Sequence, residues 1–268
     1  MTGYTEILYD VDDPSAVITF NRPDQMNGMT ETMDREVKHA IAAAVADPRV
    51  VAIVLTGAGK GFCTGADMSL LAGSAAGDVD LEQLVQFPLT YSFLHAVPKP
   101  IISVVNGATA GMGLAIMTNS DLRFASDEAS FTTVFARRGL IAEMGLSWSL
   151  PRLIGLGPAL DLLLSSRKVA APEALSLKLV DRVWPAAELL AQAKAYVKAM
   201  ADSVAPRSMA VIKAQVYRDM TTSLDDAEKH AIARMYESFR QGDMKEGVSS
   251  FLERRPPAFA RLRGALES

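Results

Sequence analysis

The sequence predicts an α/β protein, with a parallel sheet that helices cover on both faces. Two continuously apolar runs, VVAIVLTG at 50–57 and KPIISVVNG at 99–107, are typical of strands that are buried on both faces. Helical patterns separate such strands in the first half of the chain, and from Pro151 onward nearly every run has helical spacing. With 268 residues, of which 49% are hydrophobic, the chain can bury a large core.

The chain begins with a predicted hairpin and a predicted helix. Short β-rich runs at 5–9 and 15–20 flank the turn signal DDP. A helix over 31–47 follows, with Thr30 as its candidate N-cap, because apolar residues recur there at helical spacing: Met33, Val37, Ile41 and Val45. After the strand that ends at Gly57 we expect a Gly-rich loop and a polar helix over about 80–97. The small and polar segment 72–80 is either an access lid or a plain connection.

The last third of the chain consists of helical runs. They begin near 157, 171, 187, 206, 224 and 243, and Gly, Pro or Asp-rich breaks separate them. Ile232, Met235 and Phe239 form an apolar stripe that either covers the sheet or forms a subunit interface, and we predict a homo-oligomer. We divide the chain into a core at 1–203 and a helical region at 204–268.

Composition excludes several classes of function. The formal net charge of −4 is spread along the chain without a basic face, so a nucleic-acid partner is not expected. Cys63 is the single cysteine, which excludes an intrachain disulfide and a cysteine-based metal centre. The three histidines are far apart in sequence and have no ligand-type neighbours at helical spacing, so no metal site is expected. No apolar run is long enough for a membrane span, and we expect a cytoplasmic protein without a membrane partner.

Two Gly-rich turns stand out, TGAGKGFCTGADMSLL at 56–71 and NGATAGMGLAIMTNSD at 106–121. The first lacks the spacing of a P-loop, and the second lacks the G-x-G-x-x-G spacing of a dinucleotide site. In both, a strand runs into glycines and then into a helix start, where backbone N–H groups are unpaired. If the N–H groups of Ala66 and Met112 converge, they form an oxyanion hole. The alternative is that the glycines only permit tight turns.

Five segments in this order resemble the crotonase, or enoyl-CoA hydratase/isomerase, superfamily. They are ITFNRPDQMNGM, LTGAGKGFCTGADM, KPIISVVNGATAGMGLAIMTNSDLRFAS, GLIAEMGLSWSLPRLIG and EGVSSFLERRPPAF. The resemblance implies a spiral of ββα turns, with an acyl-CoA site in the core and a C-terminal helical trimerisation region. It also implies assembly as a homotrimer or a dimer of trimers.

The resemblance further implies a coenzyme A thioester substrate, with no separate cofactor, because coenzyme A enters as part of the substrate. The thioester carbonyl would sit between the N–H groups of Ala66 and Met112, and the coenzyme A chain would pass Gln25, Met26 and residues 64–69. The residues that this comparison assigns to substrate or coenzyme A binding are Gln25, Met26, Thr64, Gly65, Ala66, Asp67, Met68, Ser69, Gly111, Met112, Phe135 and Trp148.

The catalytic carboxylates depart from the hydratase pattern. Members of the hydratase type carry two glutamates, and the matching positions here are Ala115 and Phe135, neither of which can carry a proton. Glu143, in the GLIAE segment, matches a glutamate of members similar to Δ3,Δ2-enoyl-CoA isomerases, which need a single base. Its apolar neighbours would raise its pKa, and Phe135 and Trp148 would wall the site.

Other interpretations stay open. Glu143 is alternatively a first-turn acid of the helix that starts near Gly145, favoured by the helix dipole. The chain is alternatively a hydratase with atypical catalytic groups, or a catalytically silent member that only binds acyl-CoA. Cys63 is interpreted as a small buried thiol, and Asp67 as a cap of the helix that follows its turn.

Overall fold

Two β-sheets organise the fold in the computed structural model, which describes residues 3–67 and 90–264. In the described residues the larger sheet has the strand order β1-β2-β3-β5-β7-β10, and the smaller has the order β4-β6-β8-β9. The strands are β1 (Ile7–Asp12), β2 (Ser15–Phe20), β3 (Ala52–Gly57), β4 (Gly61–Cys63), β5 (Ile101–Val105), β6 (Ala108–Ala110), β7 (Leu122–Ser126), β8 (Ser130–Thr132), β9 (Val169–Ala170) and β10 (Arg182–Trp184).

The helices of the described residues are concentrated in the C-terminal half. They are α1 (Glu31–Ala46), α2 (Met112–Thr118), α3 (Leu146–Ile154), α4 (Leu156–Ser165), α5 (Ala171–Ser176), α6 (Leu189–Ser203), α7 (Pro206–Asp219), α8 (Leu224–Phe239) and α9 (Gly242–Glu253). Short 3₁₀ helices occur at Pro23–Gln25, Ser92–Ala96 and Ala136–Arg138. None of these helices is long and apolar enough to cross a membrane.

The N-terminal predictions are confirmed. Strands β1 and β2 form the antiparallel hairpin, with Ile7 opposite Phe20. Helix α1 begins at Glu31, and the Thr30 side chain caps it by accepting a hydrogen bond from the Met33 N–H at 3.0 Å. The predicted loop at 72–80 and most of the predicted helix at about 80–97 lie outside the described residues; within that stretch the structure describes the 3₁₀ helix Ser92–Ala96.

The larger sheet is parallel from β2 to β10, and its inner strands β3 and β5 are buried on both faces, as their apolar sequences predict. Alternate residues of β3 serve different cores because successive side chains point to opposite faces. Ile53 and Leu55 pack in the core that contains α1, whereas Ala52 and Val54 pack in the core that contains α6.

The chain repeatedly passes from the larger sheet to the smaller one. Strands β4, β6 and β8 follow β3, β5 and β7 after short turns, and β5, β6 and α2 together form a ββα unit. Two of these turns require glycine, because their backbones nearly touch. A Cβ on Gly57 would lie 2.2 Å from the Gly61 carbonyl oxygen, and one on Gly107 would lie 2.0 Å from the Lys60 carbonyl oxygen.

Helix α7 is attached to the larger sheet by a polar cluster. The Asp121 carboxylate, at the start of β7, accepts hydrogen bonds from Lys213 Nζ at 2.6 Å and from the Tyr217 hydroxyl at 2.9 Å. Helix α8 buries none of its residues, so its apolar stripe does not cover the sheet within this chain: Ile232, Met235 and Phe239 are about half exposed. The division at 203/204 falls between α6 and α7 and stays a prediction.

Candidate functional site

The two Gly-rich turns lie side by side. Gly65 and Gly111 both have positive φ, at +108° and +49°, which favours glycine. A Cβ on Gly111 would lie 3.5 Å from Gly65 Cα, and a Cβ on Gly65 would lie 3.8 Å from the Met112 nitrogen. Behind them, a Cβ on Gly113 would lie 2.0 Å from the Cys63 carbonyl oxygen. Glycines therefore let the start of α2 pack directly on the first turn.

Two backbone N–H groups at this junction are available as far as the described residues show. Met29 pairs with Ala66 in a parallel bridge: the Met29 N–H donates to the Gly65 carbonyl at 2.8 Å, and the Asp67 N–H donates to the Met29 carbonyl at 2.9 Å. In such a bridge the N–H of the intervening Ala66 points away from Met29. Met112 is the first residue of α2, so its N–H has no partner within the helix. Ala66 and Met112 line the same cavity.

Glu143 lines this cavity too and supplies its carboxylate. The described lining residues are Gly65, Ala66, Gly111, Met112, Val134, Phe135, Arg138, Leu140, Glu143 and Met144. The Glu143 side chain has no hydrogen-bond or ion-pair partner within residues 3–67 and 90–264. Burial raises its pKa above that of an ordinary glutamate, because the charged form loses hydration.

The interpretation of Glu143 as a first-turn helix acid is wrong. Helix α3 begins at Leu146 with Gly145 as N-cap, and Glu143 lies two residues before that cap. Its connection to the helix is through the backbone, since its carbonyl accepts a hydrogen bond from the Leu146 N–H at 3.0 Å. The carboxylate is therefore not used as a cap.

Apolar side chains form most of the remaining wall. Phe135, one of the predicted site residues, is 5% exposed. Met144, expected from the sequence as an apolar neighbour of Glu143, also contributes, and so do Val134, Leu140 and the charged Arg138, which the sequence did not indicate. The GLIAEM motif contains two of them, but nothing in the motif showed that its loop folds back towards the Gly-rich turns. Ala115, where hydratase-type members carry a glutamate, is fully buried in α2.

Trp148 does not line this cavity, and its role as a wall of the acyl site stays a prediction. The ring faces a second cavity of about 530 Å³, where Arg152 lies 4.1 Å from its centroid and the His95 ring lies 6.3 Å away. The Trp148 ring has this orientation because Gly145, with a left-handed φ of +75°, turns the chain immediately before α3.

The residues predicted to contact the coenzyme A chain are close to one another at the first turn. Gln25 ends a 3₁₀ helix, and the Thr64 hydroxyl donates to the carbonyl of the next residue, Met26, at 3.2 Å. Asp67 accepts a hydrogen bond from Arg22 Nη1 at 2.8 Å; the helix that it was predicted to cap lies outside the described residues. Met68 and Ser69 also lie outside them.

The remaining candidates have structural surroundings. Cys63 is fully buried, and burial raises its pKa to about 12, so it is a neutral thiol. The ring of His95 stacks on that of Tyr217 with centroids 3.9 Å apart, and His39 Nδ1 lies 2.7 Å from the Tyr4 hydroxyl. In the part of the chain that the structure describes, no group of three or more His, Cys, Asp or Glu side chains is arranged to hold a metal ion.

The chain is similar to known proteins over most of its length. The family model described as enoyl-CoA hydratase/isomerase matches residues 13–261. A Rhodobacter capsulatus protein named as a probable enoyl-CoA hydratase is 32% identical over 96% of this chain and 98% of its own length. Solved structures of an enoyl-CoA hydratase from Bacillus anthracis and of an enoyl-CoA hydratase subunit I from Geobacillus kaustophilus superpose with a TM-score of 0.88 each. Their identities are 26% and 28%, and each comparison covers 96% of this chain and 99% of the other.

Proposed function

Because the chain belongs to the enoyl-CoA hydratase/isomerase family, we propose that this acyl-CoA-processing enzyme is an enoyl-CoA isomerase with Glu143 as its base. The observation that supports the proposal is the cavity in which one partly buried carboxylate faces the Ala66 and Met112 turns. Ala115 and Phe135, where the hydratase type has glutamates, offer no second acid.

The proposed reaction moves a double bond from C3–C4 to C2–C3 of an enoyl thioester. The Ala66 and Met112 N–H groups hold the thioester oxygen while Glu143 takes a proton from C2, and the C–H electron pair enters the conjugated enolate. Glu143 then returns the proton to C4, which restores the thioester carbonyl and leaves the double bond at C2–C3. Each backbone donor would contribute on the order of 2.7–4 kcal/mol to the transition state.

A single carboxylate suffices for these two proton transfers because the proton taken from C2 is returned at C4. The raised pKa of Glu143 brings its basicity closer to neutral pH, where a general base transfers protons most effectively. Its lack of a partner among the described residues leaves both carboxylate oxygens available to the substrate.

The proposal includes no separate cofactor, since coenzyme A enters with the substrate. It also includes a homo-oligomer, a trimer or a dimer of trimers, and what supports this is the exposed apolar stripe on α8 formed by Ile232, Met235 and Phe239.

The test is solvent-deuterium incorporation at C2 and C4 of 3-enoyl-CoA substrates of several chain lengths, followed by mass spectrometry. Glu143→Gln keeps the shape of the side chain and should bind thioester while losing exchange and turnover. Glu128→Gln, which changes an exposed acid in the β7–β8 turn, is the matched control and should keep both. Isomerase activity retained in Glu143→Gln would refute the proposal.

A hydratase with atypical catalytic groups is the second candidate, favoured by the names of the relatives. Hydration of crotonyl-CoA at a rate above that of 3-enoyl-CoA isomerisation would favour it. Tight binding of thioesters without turnover of any acyl chain would instead indicate a silent acyl-CoA-binding member.

A further inference from the structure

The segment that carries the proposed donor Ala66 is joined to Met29 by an isolated parallel bridge. Its two backbone hydrogen bonds run from the Met29 N–H to the Gly65 carbonyl at 2.8 Å and from the Asp67 N–H to the Met29 carbonyl at 2.9 Å. Gly65, with a φ of +108°, precedes Ala66, and glycine restricts the backbone less than any other residue. A side chain that ties these two segments together would therefore also fix the direction of the Ala66 N–H.

The Arg22 side chain ties the same two segments together. Its Nη1 atom donates to the Gly28 carbonyl at 2.6 Å and to Asp67 Oδ2 at 2.8 Å. One nitrogen thus joins the residue before Met29 to the residue after Ala66. The Arg22 and Asp67 side chains are only 19% and 16% exposed, so salt screens this ion pair less than a surface pair. Arg22 is not among the described residues that line the cavity, so its effect on the site passes through its partners.

Arg22 is itself held by the loop that follows β2. Its N–H donates to Asn27 Oδ1 at 2.8 Å, and the Asn27 N–H donates to the Arg22 carbonyl at 2.9 Å. Asn27 is fully buried, and its Nδ2 donates to the carbonyls of Ala58 at 2.9 Å and Gly61 at 2.8 Å. The Nε atom of Arg22 lies 3.5 Å from Glu6 Oε1. The guanidinium is therefore anchored to β1 and to the turn between β3 and β4.

We propose that Arg22 is a positioning residue, which directs the Ala66 N–H at the thioester oxygen through its bonds to Gly28 and Asp67. This inference rests on the proposed function in taking Ala66 as an oxyanion donor. If the ion pair only stabilised the fold, its loss would not change how strongly the bound thioester carbonyl is polarised. The stretching frequency of that carbonyl separates the two roles, because a hydrogen bond to the oxygen weakens the C=O bond.

The experiment compares infrared difference spectra of bound hexanoyl-CoA that is labelled with carbon-13 at the thioester carbonyl. This saturated thioester has no double bond to move, so the measurement does not depend on isomerase activity. Wild type, Arg22→Gln, Arg22→Lys and Arg123→Gln are compared after circular dichroism has shown that each is folded. Arg123 is the matched control, because it also binds one carbonyl, that of Ser120 at 3.0 Å, and one carboxylate, that of Asp181 at 2.9 Å.

In wild type the carbonyl band of the bound thioester should lie below that of free hexanoyl-CoA. Arg22→Gln should reduce this shift by about half, because one of the two proposed donors loses its alignment. Arg22→Lys should recover most of the shift, since both bonds come from a single nitrogen and an ammonium offers three donors. Arg123→Gln should leave the shift unchanged.

The proposed isomerisation should respond in the same order. In Arg22→Gln, kcat should fall on the order of tenfold while KM changes less, because oxyanion donors act mainly on the transition state. A folded Arg22→Gln protein with the wild-type carbonyl shift would overturn the proposal. An equal reduction in Arg123→Gln would overturn it too, since that result would show a general loosening of the fold.

A second variant covers the case in which Arg22→Gln does not fold. Asp67→Ala leaves Arg22 on the Gly28 carbonyl and removes its bond to the residue after Ala66. This variant should also reduce the carbonyl shift, and a wild-type shift in it would contradict the positioning role.

These results are distinguishable from failure of the proposed function. If 3-enoyl-CoA shows no exchange but the carbonyl shift depends on Arg22, then the isomerase assignment fails and the positioning assignment stands. If exchange depends on Glu143 but the carbonyl shift ignores Arg22, then only the positioning assignment fails. If the carbonyl band of wild type does not shift on binding, then the oxyanion donors and the positioning role fail together.

Discussion

Replacing Lys213 with methionine tests how α7 is held on the core. The Lys213 and Asp121 side chains are only 8% and 16% exposed, and burial lowers the pKa of Lys213 although Asp121 opposes that shift. Lys213→Met keeps the apolar stem and removes the cation, together with its second hydrogen bond to the Lys99 carbonyl at 3.2 Å. The Asp121 carboxylate then stays buried with neutral donors, the Ile101 N–H at 2.7 Å and the Tyr217 hydroxyl at 2.9 Å.

Breaking a buried ion pair from one side costs about 3–5 kcal/mol, because the remaining charge is desolvated without compensation. The two neutral donors that stay on Asp121 place the expected loss at the lower end, about 3 kcal/mol. The assay is urea unfolding followed by circular dichroism at equal protein concentrations, since assembly would add a concentration-dependent contribution to the free energy of unfolding.

Two further variants make the result interpretable. Lys229→Met removes the cation of an exposed pair with Asp225 on α8 and should cost about 0.5 kcal/mol or less. Adding Asp121→Asn to Lys213→Met should recover part of the loss, because the uncompensated charge disappears. If Lys213→Met lowered stability no more than Lys229→Met, the Lys213–Asp121 pair would not hold α7 on the core and the reasoning would be refuted.

Two other predictions follow from shifted pKa values. Because burial raises the pKa of Cys63 to about 12, native protein at pH 8 should resist iodoacetamide and react fully only in denaturant; rapid alkylation of the native thiol would contradict this burial. Because Glu143 must be ionised to act as a base, kcat/KM for the proposed isomerisation should fall as pH drops through its raised pKa. The pH–rate profile should show that acidic limb above the 4.5 of an ordinary glutamate, and a limb at or below 4.5 would contradict the burial of this base.

The sequence predicted the fold well where the pattern is local. The strands β3 and β5 are fully apolar and the α1 pattern is helical, so their class and their burial could be recognised without tertiary information. Strand β10 was not recognised, because three residues cannot display an alternation. Its place at the edge of the larger sheet depends on pairing with β7, for example Arg182 with Phe124, and such pairing has no local signal.

The part of the candidate site that consists of backbone N–H groups could be predicted from the sequence. Strand, glycine and helix start follow one another in the sequence, so Ala66 and Met112 could be proposed as donors before their approach was visible. The walls depend instead on how the loop 133–145 folds. Val134 and Met144 have positive φ values of 54° and 55°, which residues other than glycine seldom adopt, and sequence patterns do not reveal them. The orientation of Trp148 also has no local signal, since the turn at Gly145 decides where α3 directs its side chains.

The proposed oxyanion donors and the proposed base differ in how tightly their surroundings are packed. Behind the proposed donors the packing is tight at one position: a Cβ on Gly113 would lie 2.0 Å from the Cys63 carbonyl oxygen. The start of α2 therefore leaves no room for a side chain at Gly113. Glu143 lies on a loop where a Cβ on Gly139 or Gly145 would meet no atom within 4 Å. The loop therefore has more space for added side-chain atoms than Gly113 has, although the positive φ of Gly139 and Gly145 favours glycine at those two positions. We therefore expect changes of reaction in this architecture to come from the loop and not from the Gly-rich turns.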